Sequence, residues 1–158
     1  MNIGLKVCSL LFALSAISCT PQTTSSSIIG SSNYDDIIDR QSVSLTECLS
    51  QEEEHYLVYF YSPTCTPCGE IKGDVVSFAV DNVVKTYFLN TKEPGNEIQK
   101  CSADEVVVGV DDVADLFIVG TPTLVEVKNG TTTSNVAGKN KCLNLLNQLR
   151  TDNNQSSN

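Results

Sequence analysis

The stretch Leu57-Val58-Tyr59-Phe60-Tyr61-Ser62-Pro63-Thr64-Cys65-Thr66-Pro67-Cys68 decides the fold. With Tyr56 it opens on a continuous apolar run, the pattern of a strand buried on both faces. Two cysteines separated by two residues then follow, a spacing that can close a disulfide at a helix start. Pro67 suits a first helical turn, where its missing N–H costs nothing. Ile71, Val75, Phe78 and Ala79 recur at helical spacing behind it. A helix beginning at Cys65 or Thr66 places the Cys65 sulfur at the positive end of the helix dipole, beside free N–H groups. A free cysteine has a pKa of about 8.5, and such a setting lowers it. Cys65 therefore reads as the nucleophile and Cys68 as the thiol that resolves the mixed disulfide. Two alternatives stand beside this reading, a permanent structural disulfide and half of a zinc site. A closed zinc site needs two further ligands, and His55 is the sole histidine.

Working outward, Gly120-Thr121-Pro122-Thr123 is followed by the apolar segment Leu124 to Lys128, the pair Asn129-Gly130 and a second extended segment, Thr131 to Val136. Asn-Gly between two such runs is a strong hairpin signal. Cys142, Leu145, Leu146 and Leu149 make one apolar stripe on a last helix spanning about Lys139 to Arg150. Between the two halves, Val83 to Leu89 reads as a strand and Asp111 to Phe117 as a helix, while residues 91–110 give no clear pattern. Upstream, Ser44 and Glu47 form a capping box for a helix over about Leu45 to Leu49. Ile37 and Ile38 suit a short helix before it. These are βα units followed by a hairpin and a terminal helix, which predicts an α/β fold with a central mixed sheet and helices on both faces.

The order of strand, Cys-Thr-Pro-Cys and later Thr-Pro-Thr strand resembles the thioredoxin family, over roughly residues 43–150. The resemblance implies a thioredoxin-like fold and a thiol–disulfide oxidoreductase with redox-active Cys65 and Cys68. It calls for no cofactor beyond that pair. Its partners would be protein thiols or disulfides and a redox partner protein that exchanges electrons with the pair. Pro122 is similar to the family's cis-proline facing the disulfide, with the Thr121 backbone free to pair with an extended substrate; an ordinary trans-proline at the start of an edge strand is the plainer alternative. The chain departs from the family in two places. Tyr59 stands where thioredoxins carry a buried Asp, six residues before the first cysteine, and the usual Trp is absent because the chain has none. The proton relay to the resolving cysteine is thereby in question. Glu70 is close enough in sequence to serve, although a solvated first-turn residue is the simpler reading.

The 158 residues suit one domain, over 34–150, with 41% apolar residues to form its core. Acidic residues outnumber basic ones 19 to 10, so a nucleic-acid partner is not expected, no basic face being apparent. Residues 1–18 carry only Lys6 and a short apolar run, Val7 to Ile17, too short to span a bilayer and typical of a secretory signal. Ala16-Ile17-Ser18-Cys19 is similar to a bacterial lipobox, which implies cleavage before Cys19, lipid attachment there and a protein held on the outer face of a bacterial cell membrane. Cleavage by an ordinary signal peptidase is the alternative. Residues 19–33 then form a Ser- and Thr-rich tether and 151–158 a polar tail. Outside the cytoplasm cysteine pairs can stay oxidised. Of the remaining cysteines, Cys48, Cys101 and Cys142 can form at most one pair. His55 reads as a surface residue, and Glu52-Glu53-Glu54 as a solvated face. Two other functional classes fit the same motifs: a non-catalytic module that holds a client by strand addition, and a copper-handling lipoprotein using Cys65 and Cys68 as soft ligands, with no other metal site indicated.

Overall fold

The computed structural model describes residues 31–156 apart from Asp104. The signal segment, Cys19 and most of the tether lie outside the described residues. Among the described residues no helix is long and apolar enough to cross a membrane.

The run that opens the decisive stretch is strand β1, His55–Tyr61, its five inner residues buried. The described residues form six strands and three α-helices, numbered in chain order. Helix α1 is Ser31–Arg40, and α2, Thr66–Asp81, follows β1. Strand β2 is Lys85–Asn90; β3, Gln99–Lys100, and β4, Phe117–Ile118, are short. Strands β5, Thr123–Lys128, and β6, Thr131–Ala137, make the hairpin, and α3 is Lys139–Ser156. The main sheet has the order β2-β1-β5-β6. Strand β1 pairs parallel with β2 and antiparallel with β5, and β5 pairs antiparallel with β6. The sheet is mixed, as the sequence predicts.

Alternation along β1 separates two cores. Leu57 and Tyr59 face a cluster with Ile38 of α1, Ile71, Val75 and Phe78 of α2, and Leu146 of α3. Tyr56, Val58 and Phe60 face the other side, against Cys48, Leu49, Val110, Leu116 and Ile118. All three α-helices thus cover one face. The second face is closed by 3-10 turns at Leu45–Glu47 and Val113–Asp115 and by irregular chain, where helices were expected on both. The expected helix over Asp111 to Phe117 shrinks to that second turn, because Phe117 and Ile118 pair with Gln99 and Lys100 in a separate two-stranded sheet.

The hairpin turn is as expected: Asn129 and Gly130 both have positive φ, 52° and 75°, the conformation a two-residue turn of this type demands. The Ser44–Glu47 capping box forms as well. Two boundaries move. Helix α1 begins inside the segment read as tether, and α3 runs past Arg150 to Ser156 through residues read as a polar tail. The Arg150 guanidinium of α3 lies 3.2 Å from Asp81, the last residue of α2, tying the two helices together.

Candidate active site

Cys65 and Cys68 are joined in a disulfide with Cα atoms 5.2 Å apart, where β1 hands over to α2. Cys65 is the N-cap of α2, with extended backbone (φ −88°, ψ 108°). The first helical N–H groups are therefore aimed at it, and Cys68 N–H donates to Cys65 Sγ at 3.2 Å. The turn before it is set by Ser62, whose carbonyl accepts from Cys65 N–H at 3.1 Å. Cys65 is half-buried, whereas Cys68 is only 4% exposed. An incoming sulfur can reach the first of the pair and not the second.

The loop before β5 closes the site from the opposite side. The Thr121–Pro122 peptide bond is cis, and the Thr121 carbonyl oxygen lies 3.3 Å from Cys65 Sγ. Thr123 Oγ1 donates to the Gly120 carbonyl at 2.6 Å, and Gly138 N–H to that of Pro122 at 2.8 Å. Both ends of the loop are thus fixed, with the Thr121 carbonyl held against Cys65.

Behind Cys68 the expected carboxylate is replaced by Tyr59, 2% exposed, whose hydroxyl donates to the Cys68 carbonyl at 3.4 Å. Burial, then the neighbouring Cys142 and Tyr61, push this phenol well above its usual value of 10. It cannot act as a base at neutral pH. A cavity of about 380 Å³ opens on this flank between α1 and α2, lined by Ile38, Asp39, Tyr59, Tyr61, Cys68 and Lys72 among others. Glu70 is engaged elsewhere: its carboxylate takes Lys139 Nζ at 2.7 Å, beside Pro122. On the Cys65 flank lies a second cleft of about 360 Å³, reaching from Thr64 and Cys65 to Thr121.

Cys48, Cys101 and Cys142 are all free. Cys142 lies under the cis-proline loop, its thiol donating to the Val136 carbonyl at 3.5 Å. Burial pushes the Cys142 thiol up to about 11 and that of Cys48 to about 12, so neither is a thiolate at neutral pH. No group of three or more His, Cys, Asp or Glu that could hold a metal occurs among the described residues. Two polar contacts engage residues read as surface positions, while Glu52 and Glu54 stay exposed. His55 Nε2 sits 2.9 Å from Glu126 Oε1, and Glu53 accepts the Tyr87 hydroxyl at 2.6 Å. The antiparallel pairing of β1 with β5 brings the first pair together, and only that register could have signalled it.

A family profile described as Thioredoxin matches residues 36–151. No curated protein matches the chain. Among solved structures the fold is similar to mitochondrial thioredoxin 3 from Saccharomyces cerevisiae in its oxidized form, at 16% identity and a TM-score of 0.51, covering 74% of this chain and 96% of that one. Thioredoxin f2 from Chlamydomonas reinhardtii gives 18% identity and a TM-score of 0.46, with 68% and 93% covered. The Malassezia sympodialis thioredoxin Mala s 13 gives 21% identity and 0.46, with 68% and 88% covered. At such identities the likeness concerns the fold.

Proposed function

The chain belongs to the thioredoxin family, and from that premise we propose that it exchanges thiols and disulfides with protein substrates outside the cytoplasm, through Cys65 and Cys68. The observation that carries the reading is the placement of Cys65 Sγ, accepting from Cys68 N–H and facing the Thr121 carbonyl. A helix N-terminus stabilises the thiolate that must attack.

In the reducing direction the Cys65 thiolate attacks one sulfur of a substrate disulfide. That S–S bond breaks, a mixed disulfide forms, and the other substrate sulfur leaves as thiolate and takes up a proton. Cys68 then loses its proton and attacks Cys65 Sγ. The mixed disulfide breaks, the second substrate thiol leaves, and the Cys65–Cys68 disulfide remains. Two electrons and two protons have passed to the substrate. A partner protein carrying a dithiol restores the reduced pair by the same steps. The oxidising direction is the reverse. The Thr121 backbone beside the cis-proline holds the extended substrate segment during the exchange.

The lipobox-like Ala16-Ile17-Ser18-Cys19 supports placing this chemistry at a membrane surface, with Cys19 carrying the lipid and the Ser- and Thr-rich segment giving the domain reach. The test is reduction of insulin by a thiol reductant with and without the protein. Catalysis by wild type and its loss in Cys65→Ser support the reading, and equal rates for both contradict it. The potential of the pair then fixes the direction: about −270 mV marks a reductant and about −120 mV an oxidant.

A further inference from the structure

We propose that the cleft beside Cys65 selects substrate segments that carry carboxylates next to the reacting cysteine, through Lys92 and Lys100. The inference rests on the exchange activity proposed above and names the chemistry of its substrates.

Both lysines come from the connection that the sequence leaves unread, and backbone bonds fix each to one wall of the site. Lys92 follows Thr91, whose N–H and hydroxyl both donate to the Tyr61 carbonyl, at 2.9 and 3.1 Å. Tyr61 is the last residue of β1, four residues before Cys65. Lys100 lies in β3, opposite Ile118 of β4 and three residues before Thr121; Cys101 N–H donates to the Ile118 carbonyl at 3.1 Å, extending the pairing. Asn96, buried between them, receives Leu45 N–H at 2.8 Å and donates to the Asn90 carbonyl at 3.2 Å. The connection is thus held at three points, and the two lysines line one cleft with Cys65 and Thr121.

The charge balance there opposes that of the chain. The protein carries a formal −9, yet the cleft has Lys92 and Lys100 against the single carboxylate of Glu97. Neither lysine takes part in the five ion pairs among the described residues. Glu97 is itself engaged by Gly95 N–H at 3.0 Å, and Glu105, near Lys100 on its outer side, by Ser102 N–H at 2.8 Å. The Cys68 flank has the opposite sign: Asp35 and Asp39 line its cavity, with Lys72 paired to Asp35. An acidic substrate segment is attracted to the Cys65 side and repelled from the Cys68 side, which orients its disulfide toward the reachable sulfur. Exposed charges act on encounter and orientation more than on final affinity, and salt screens them.

The test uses two peptides with the same intramolecular disulfide, one with Glu and one with Lys flanking the cysteines. Wild type is expected to reduce the Glu peptide with kcat/KM roughly five- to tenfold higher at low salt, a preference that fades as salt rises. Lys92→Glu combined with Lys100→Glu should reverse the preference. Lys85→Glu, at the far end of the β1–β2 pair opposite Tyr56, should leave it unchanged. Thermal unfolding of each variant checks that the substitutions, at exposed Lys92 and Lys100 and at partly exposed Lys85, leave the fold intact. Equal rates for the two peptides, or a preference that survives the double reversal, would overturn the inference alone. Exchange with neither peptide would overturn the oxidoreductase reading, and the inference with it.

Discussion

Cys65 and Cys68 differ by three positions and by nearly everything a thiol responds to. The first caps a helix, accepts an N–H and is half-open to solvent; the second is buried with Tyr59 at its back. Alkylation of the reduced protein across pH should therefore label Cys65 first and at lower pH, and faster labelling of Cys68 would reverse the roles. Tyr59 sets a second expectation. Its hydroxyl is fixed on the Cys68 carbonyl and burial raises its pKa, so it cannot take the proton Cys68 must lose before resolving a mixed disulfide. Tyr59→Asp should speed that step near neutral pH in single-turnover kinetics while leaving the first attack unchanged. Burying a carboxylate lowers stability by roughly 1–3 kcal/mol or more. A folded variant that resolves no faster would reduce Tyr59 to a core residue.

Among the elements, α1 shows what a short amphipathic helix adds. Ile38 is buried in the cluster beneath α2, with Tyr34 and Ile37 packed around it, and Asp35 pairs with Lys72. Ile38→Ala should lower unfolding stability by about 2–4 kcal/mol in urea titration; the exposed pair should matter far less, since such pairs give about 0–1 kcal/mol. The hairpin makes a similar case for Gly130, at φ 75°. There Gly130→Ala should lose about 1 kcal/mol through backbone strain alone. The legible elements were those written in local signals. Period and turn chemistry give β1, α2 and the β5–β6 hairpin, and with them the place of Cys65 and Cys68, while the roles of Thr121 and Pro122 come from the family resemblance. The segment 91–118 is different. Its shape comes from distant partners, with Asn96 on Leu45, Gly109 N–H on the Thr132 carbonyl and β3 on β4. No local pattern records those pairings, and Asp111 to Phe117 mimics a helix because Asp112 does cap one turn, through Ala114 N–H. The cleft-lining residues supplied by that segment, Lys92 and Lys100, were hidden for the same reason.

For the molecule as a whole, acid sensitivity should centre on Glu126. Burial raises its pKa, but hydrogen bonds from Lys128, His55 and Thr133 outweigh it and hold the carboxyl below the usual 4.5. A depressed folded-state value means that this stabilisation is complete above pH 4.5 and is lost as pH falls through the lower folded value. Glu126→Gln should flatten the fall in melting temperature across that window. An equally steep fall would place the acid-labile group elsewhere. Membrane attachment is expected at Cys19. Mass spectrometry of the mature N-terminus should find lipid there, and an unmodified end at another residue would make the protein a soluble exported one.

The central claim, disulfide exchange through Cys65 with resolution by Cys68, is tested most directly by trapping. Cys68→Ser, incubated with an oxidised protein substrate, should accumulate a disulfide-linked adduct whose mass and peptide map join the substrate to Cys65. Cys65→Ser should accumulate none. An adduct mapped to Cys101 in the Cys68→Ser protein, or no adduct where wild type turns the substrate over, would contradict the account.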